Sequence, residues 1–455
     1  MMAPRSRLFP SAASAALTTG RPAKVRRALV RTLRSSRSAP WFLMSKAIGN
    51  ERLLQLLAFG LVADEQRATT TLIELEAIRA AWVNEHGDAP LDDAQLRELL
   101  RNAVGAAVAK IEAPPLLGLT AGFDSRPLLR TLHELGVRPT LYLYSQPGHI
   151  DHDVVMWLNE RLGLGVALLD TRHEPFSLNV YDAHARTQNP SPLGPGHQGW
   201  YWALDRFGRS TLMHGFLNDT LTGDNRGKIA ATVDKGPREA FMAMNNQFGL
   251  QSEFEPSLLD QLCPGDAVSQ DRGLEMYRQY DLAYRQYGRI IPMPGCPHDV
   301  VLPFADPHWM GYWLNRPLEE RKGQHRWYDF ARALRSPLFA DIEGLEELRG
   351  RQLRMARKRR FYGSSEAAGL LDFSGLAGER QREPAHPFDF VTVYRCNQSF
   401  RVAVDTSLLR LRGRRLVDRG VIDAVETAFR RGDHAAGLIV NAFMTIDVHV
   451  EAGVV

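Results

Sequence analysis

The stretch from Leu116 to Arg126 constrains the fold of this chain more than any other. An apolar run, Leu116-Leu117-Gly118-Leu119, breaks into the small turn Thr120-Ala121-Gly122-Phe123-Asp124-Ser125, and a helical pattern follows at once. Pro127 to Leu135 reads as that helix, with Gly136 as its C-terminal stop. The pattern then repeats. Thr140-Leu141-Tyr142-Leu143-Tyr144 reads as a second strand, Asp151 to Leu162 as a second helix and Gly165 to Asp170 as a third strand. Ser210 to Gly215 is a candidate fourth strand. Strands alternating with helices of about ten residues imply right-handed crossovers and a parallel sheet. The expectation is an α/β fold, a parallel twisted sheet with helices on both faces and helical parts before and after it.

Those flanking parts divide the chain. Residues 41–111 read as helical, with Leu96, Leu99, Leu100, Val104 and Val108 at helical spacing, and Pro114-Pro115 stops the second helix. Residues 112–345 hold the alternating pattern, although from about Tyr277 onward it reads as mostly helical. Residues 346–455 form a helical C-terminal region, with apolar-patterned segments at Val417 to Phe429 and Ala435 to Val450.

Residues 1–40 carry nine Lys/Arg and no Asp or Glu, so the formal net charge of +4 becomes −5 over the rest of the chain. A basic tail, rich in Ser, Ala and Pro and expected to be disordered, therefore sets the balance. It has the Arg-rich, acid-free look of a transit peptide, but a translated upstream extension is the preferred reading. The acidic remainder speaks against nucleic-acid binding. No apolar run approaches the roughly 20 residues that cross a bilayer, so no membrane partner is expected. Cys263, Cys296 and Cys396 are scattered. That spacing favours a reducing, cytoplasmic setting over a disulfide framework or a zinc ribbon.

The turn after the first strand carries the chemistry. A strand–turn–helix start aims backbone N–H groups and a helix N-terminus at one spot, which suits phosphate. Asp124 can hold Mg²⁺, and the Ser125 hydroxyl can donate to a phosphate oxygen. Neither G-x-x-x-x-G-K-[ST] nor a G-x-G-x-x-G after a strand is present, which sets aside the common P-loop and the dinucleotide fold.

Thr120-Ala121-Gly122-Phe123-Asp124-Ser125 resembles the S-G-G-x-D-S pyrophosphate loop of the PP-loop ATPases, with Thr for Ser and Ala for the first Gly. His214-Gly215-Phe216-Leu217-Asn218-Asp219-Thr220-Leu221-Thr222-Gly223 resembles the G-x-G-x-D-x-x-x-G motif of the asparagine synthetase branch, with Leu217 at the second Gly. Glu51 to Asp64, Val301 to Asp306 and Asn315 to Tyr328 are similar to further segments of that family. The resemblance covers about residues 50–345. It implies a PP-loop, adenine nucleotide alpha hydrolase-like fold and an ATP-dependent, AMP-forming ligase that adenylates a carboxylate before an amine attacks. It also implies a nucleotide site at Thr120–Ser125, Gly215 and Asp219, with Asp124 and Asp219 sharing Mg²⁺.

The departures carry information too. Glutamine-dependent members of the family have a nucleophilic Cys directly after the initiator Met, whereas the first cysteine here is Cys263. The resemblance is thus to the synthetase half, with ammonia free, from a separate partner protein, or an amine on the substrate itself. The family carries a Glu three residues before the second Asp, and Phe216 stands there. That loosens the tie to aspartate and leaves a biosynthetic amide cyclase, a sugar-acid amidating enzyme or a non-catalytic nucleotide binder as alternatives.

Lys358, in the basic run Arg354 to Arg360, is the candidate lysine that neutralises the adenylate; the alternative is a solvated basic helix face. Asp151 reads as a helix N-cap. His149 and His152 read as polar loop residues rather than zinc ligands, and His298 and His308 as structural.

Overall fold

The computed structural model describes residues 65–178, 180, 195–223, 296–321, 324–342 and 389–453. Lys358, the basic run around it, residues 1–40 and the segment Glu51–Asp64 lie outside the described residues. The N-terminal helices are α1 (Glu65–His86) and α2 (Asp93–Val108). Gly87, at φ 73°, lies between them, and Asp92 with Gln95 closes a reciprocal capping box on α2.

The alternating pattern folds as β1 (Leu116–Gly118), α3 (Ser125–Glu134), β2 (Thr140–Ser145), α4 (Ile150–Leu162) and β3 (Ala167–Asp170). After it come α5 (Pro195–Phe207), β4 (Thr211–Met213), α6 (Asn218–Thr222) and β5 (Asp299–Val301). Beyond Tyr277 the described residues are mostly helical, as expected, with strand β5 as an addition the sequence did not announce. Two β-branched residues and the pairing edge of β4 make a strand of a segment too short to show a period. A 3₁₀ turn (Pro303–Ala305), α7 (Pro307–Asn315), α8 (Leu318–Arg321), α9 (His325–Ala333) and a 3₁₀ turn (Pro337–Ile342) follow. The C-terminal helices are α10 (Phe390–Cys396), α11 (Gln398–Arg414), α12 (Arg419–Arg430) and α13 (His434–Glu451). Among the described residues no helix is long and apolar enough to cross a membrane.

The five strands form one all-parallel sheet in the order β3-β2-β1-β4-β5. Register places Leu117 beside Leu141 and Met213, and Leu116 beside Thr140 and Leu212. Side chains alternate across a strand, so each set faces one layer. Leu117, Leu141, Leu143 and Met213 pack with Leu96, Leu100, Leu128, Leu132 and Val155, under the helices α1 to α4, α7 and α9. Leu116, Tyr142, Leu169 and Leu212 pack with Trp200 and Trp202 of α5 and with α10 to α13. Helices thus cover both faces, as expected, and the C-terminal region supplies one of the two layers. Strands buried on both faces read as near-continuous apolar runs, which is why they were visible in the sequence.

Candidate functional site

The chain winds outward from β1 to β3 through α3 and α4 on one face, then returns through α5 on the other to place β4 on the far side of β1. The direction of winding reverses between β1 and β4. At such a point the loops leaving two adjacent strands diverge, and the crevice at their carboxyl ends is where open α/β sheets take ligands. The loop after β1 is the Thr120–Ser125 turn, and the loop after β4 begins His214-Gly215. The fold therefore brings the two sequence motifs, about ninety residues apart, to neighbouring strand ends.

The loops touch. A Cβ built on Gly215 would lie 3.0 Å from Asp124 Cβ and 3.4 Å from its carbonyl carbon, so only glycine fits there without displacing Asp124. Asn218 Nδ2 donates to Asp124 Oδ1 at 2.7 Å, and Asn218 Oδ1 accepts from the Trp309 indole at 3.2 Å. Trp309 sits with Phe304, Trp313 and Trp327 in a fully buried aromatic cluster, so the amide that meets Asp124 is held by the core. Asp306 caps α7 by accepting from His308 and Trp309 N–H, which fixes where that indole stands.

Leu217 has φ 79°. This left-handed conformation costs a side-chain-bearing residue about 1–2 kcal/mol. The buried Leu217 side chain joins the core beneath.

Asp219 is exposed and accepts from Gln324 Nε2 at 3.3 Å. Gln324 also donates to Thr222 Oγ1 at 2.7 Å and accepts from the Tyr328 hydroxyl at 2.6 Å. The Tyr328 ring lies 4.5 Å from that of Phe123, so α9 bridges the first loop to the second. Phe216 is half-buried against the core and offers no ionisable group. His214, the last residue before Gly215, is half-buried, and its Nδ1 has no hydrogen-bond partner among the described residues. Burial pushes its imidazole down to about 4, so it is neutral at physiological pH.

Inside the first loop the hydrogen bonds are largely the chain's own. Thr120 N–H donates to Ser125 Oγ at 3.0 Å, and Gly122 N–H to Thr120 Oγ1 at 3.2 Å. Ala121 N–H donates to Asp151 Oδ1 at 2.9 Å. Asp151 is therefore not the N-cap of α4, as its position in the sequence led us to expect. His149 holds that place, its Nδ1 accepting from Asp151 N–H at 3.2 Å, because the Asp151 carboxylate is drawn to the neighbouring loop. Asp124 precedes α3 in helical conformation without capping it, which leaves its carboxylate to the crevice side and Asn218.

Arg126 gave no functional signal in the sequence. It is fully buried and donates to the carbonyls of Ala121 at 2.6 Å, Gly122 at 3.0 Å and Leu338 at 2.9 Å. Its guanidinium also lies against the rings of Phe123 and Phe339. With those carbonyls held inward, the peptide N–H groups of Gly122 and Phe123 point the opposite way, since both peptides are trans. Asn218 and Gln324 were missed as well. The clue to Asn218 was its place directly before the motif Asp. Gln324 carried none, because it arrives from a segment 105 residues away in sequence.

Asp124, just before α3, and Asp219, in α6, are the carboxylates here that could ligate Mg²⁺ beside substrate phosphates. Among the described residues no group of three or more His, Cys, Asp or Glu that could hold a metal ion gathers. His298 is buried between α5 and β4, bonding Trp200 O at 3.0 Å, which is a structural role; His308 lies at the surface near Glu85. Compared with known proteins, the chain matches no family model and no curated protein.

Proposed function

We propose that this chain is an ATP-dependent, AMP-forming ligase, similar to the synthetase half of asparagine synthetase, that adenylates a carboxylate and passes it to an amine. The observation that carries the reading is the meeting of the two motif loops where the winding reverses. Gly215 lies against Asp124, and Asn218, beside Asp219, donates to it. A chance match of two short motifs gives no reason for them to touch.

On this reading the acceptor carboxylate attacks the α-phosphate and pyrophosphate leaves, turning a poor leaving group into AMP. The N–H groups of the first loop and the Ser125 hydroxyl hold the departing pyrophosphate. Asp124 and Asp219 hold Mg²⁺, which supplies charge neutralisation on the phosphate oxygens. Lys358 remains the candidate for the adenylate. Catalysis is positioning and charge stabilisation rather than covalent chemistry by the protein. The half-buried Phe216, with the neutral His214 two residues before it, favours an acid other than aspartate, which places the amide cyclases and sugar-acid amidating enzymes within the proposal.

ATP–pyrophosphate exchange over a panel of carboxylic acids is the test, with Asp124→Ala as the control. Exchange that depends on one acid and is lost in the control supports the ligase. Exchange specific to aspartate overturns the role given to Phe216. ATP binding without exchange for any acid leaves the non-catalytic alternative.

A further inference from the structure

The two motif carboxylates, Asp124 and Asp219, are each held by a side-chain amide. Asn218 is fully buried; its Nδ2 donates to Asp124 Oδ1 at 2.7 Å, and its Oδ1 accepts from the Trp309 indole at 3.2 Å. Gln324 is also buried, and its Nε2 donates to Asp219 Oδ1 at 3.3 Å and to Thr222 Oγ1 at 2.7 Å. Its Oε1 accepts from the Tyr328 hydroxyl at 2.6 Å. A carboxylate only accepts and an indole only donates, so these partners fix which way each amide faces. A flipped amide would set its oxygen against the carboxylate.

Gln324 shows what the arrangement costs. It stands at φ 57° and ψ 23°, a left-handed conformation that disfavours a residue with a side chain, and it does not cap α9, which it precedes. Strain of this kind persists where the surroundings over-determine it, and it gathers at functional sites. From that place the Gln324 side chain joins Asp219 and Thr222, both in α6, to Tyr328, whose ring lies against Phe123 of the first loop. A neutral amide also differs from a lysine or arginine in what it leaves behind. It fixes a carboxylate by a hydrogen bond without adding a positive charge that would compete with a divalent metal. We infer that Asn218 and Gln324 are positioning residues, which hold the Asp124 and Asp219 carboxylates in the crevice for Mg²⁺ and the phosphates of a nucleotide. The inference rests on the ATP reading above and adds to it the two side chains that set the response to the metal.

Isothermal titration of the full chain with ATP, once in EDTA and once in excess Mg²⁺, tests this. The quantity read is the gain in ATP affinity that Mg²⁺ brings. Gln324→Met and Asn218→Leu keep size and charge, so ATP binding in EDTA should stay within about twofold of the wild type. The Mg²⁺ gain should fall about tenfold or more in each, as when a group that orients a metal ligand is removed. In Asp219→Asn the carboxylate is already gone, and adding Gln324→Met should lower the gain no further. Gln324→Asn is the second variant should Gln324→Met fold poorly. Asparagine accepts the left-handed backbone more readily, yet is one methylene too short to reach Asp219, so Tm should hold while the gain is lost. Gly311→Ala, at the contact between α7 and α1, should lower Tm and keep the gain.

A gain that survives in Asn218→Leu or in the Gln324 variants overturns the assignment and leaves the ATP reading standing. So does a further loss when Gln324→Met is added to Asp219→Asn. Equal weakening in EDTA and in Mg²⁺ overturns it too, because the amides then serve the fold. A wild type that binds no ATP removes the ATP reading and this inference with it.

Discussion

Gly215→Ala tests whether the two motif loops form one site. The added Cβ would lie 3.0 Å from Asp124 Cβ and 3.4 Å from Asp124 C. Non-bonded carbons settle at about 3.5–4.0 Å, so the overlap to be relieved is about half an ångström or more. Little can give way. Asp124 opens α3, whose Leu128, Leu129 and Leu132 are fully buried, and Gly215 continues from β4, which is paired on both sides. Overpacking of this kind costs about 1–3 kcal/mol. For a domain of this size that is a fall in Tm of about 2–10 °C by scanning calorimetry. The Asp124 carboxylate moves with its Cβ, and on the ligase reading, where Asp124 ligates Mg²⁺, misplacing such a group by up to an ångström costs about a hundredfold. Pyrophosphate exchange well below Tm should therefore fall about ten- to a hundredfold. Gly311→Ala is the control, with its Cβ 2.7 Å from Trp82 Cβ at the contact between α7 and α1, away from the loops. It should lower Tm as much while leaving exchange per folded molecule intact. If Gly215→Ala lowers neither quantity, or lowers Tm alone, the loops do not cooperate as one site.

Asn218→Ala removes both the donor to Asp124 and the acceptor of the Trp309 indole, and should cost about 1–3 kcal/mol in urea denaturation. Leu217→Gly relieves a left-handed leucine worth about 1 kcal/mol but empties a buried site worth about 2–5 kcal/mol, so denaturation should show a net loss. An unchanged or higher stability would mean the strain is the larger effect. Arg126→Lys keeps the charge but cannot serve three carbonyls, and should lower stability by about 2–4 kcal/mol. The depressed pKa of His214, about 4 when folded, means the unfolded chain binds its proton first as pH falls. Stability from this residue is full above about 6.5 and is lost between there and about 4, by at most about 3 kcal/mol. His214→Gln should flatten the urea-midpoint profile across that window, and an unaltered slope would refute the burial account.

What was legible in the sequence was whatever a strand or helix states locally. Leu116 to Leu119 and Thr140 to Tyr144 are apolar because the sheet is covered on both faces, and Gly136 and Gly163 stop helices with positive φ. What was hidden depends on contacts between distant segments. Asp151 looks like a cap until the fold brings Ala121 N–H to it across 30 residues. The role of Arg126 shows only once Leu338 O arrives from 212 residues away. Strand β5 is three residues long and exists because β4 offers it an edge. Leu217 is the most instructive case. In sequence it is a departure from the resembled motif, and only the fold shows that it stands at φ 79°, a conformation glycine adopts more readily.

The bonding inside the first loop also narrows how a phosphate would be held on the ATP reading. Thr120 and Gly122 N–H donate to the hydroxyls of Ser125 and Thr120, both neutral acceptors. Exchanging a hydroxyl for an anionic phosphate oxygen is a gain, since charge-assisted hydrogen bonds are roughly twice as strong, and the released hydroxyls become donors to the same group. Ala121 N–H is different. Its acceptor is the Asp151 carboxylate, so a phosphate there would replace one anionic acceptor with another and leave the displaced carboxylate facing it. That exchange has no driving force. The cradle is therefore the side of the loop that Arg126 turns outward, at Gly122 and Phe123, with the hydroxyls of Thr120 and Ser125. Ala121, where the resembled motif has a glycine, belongs to the anchor that fixes the loop to α4.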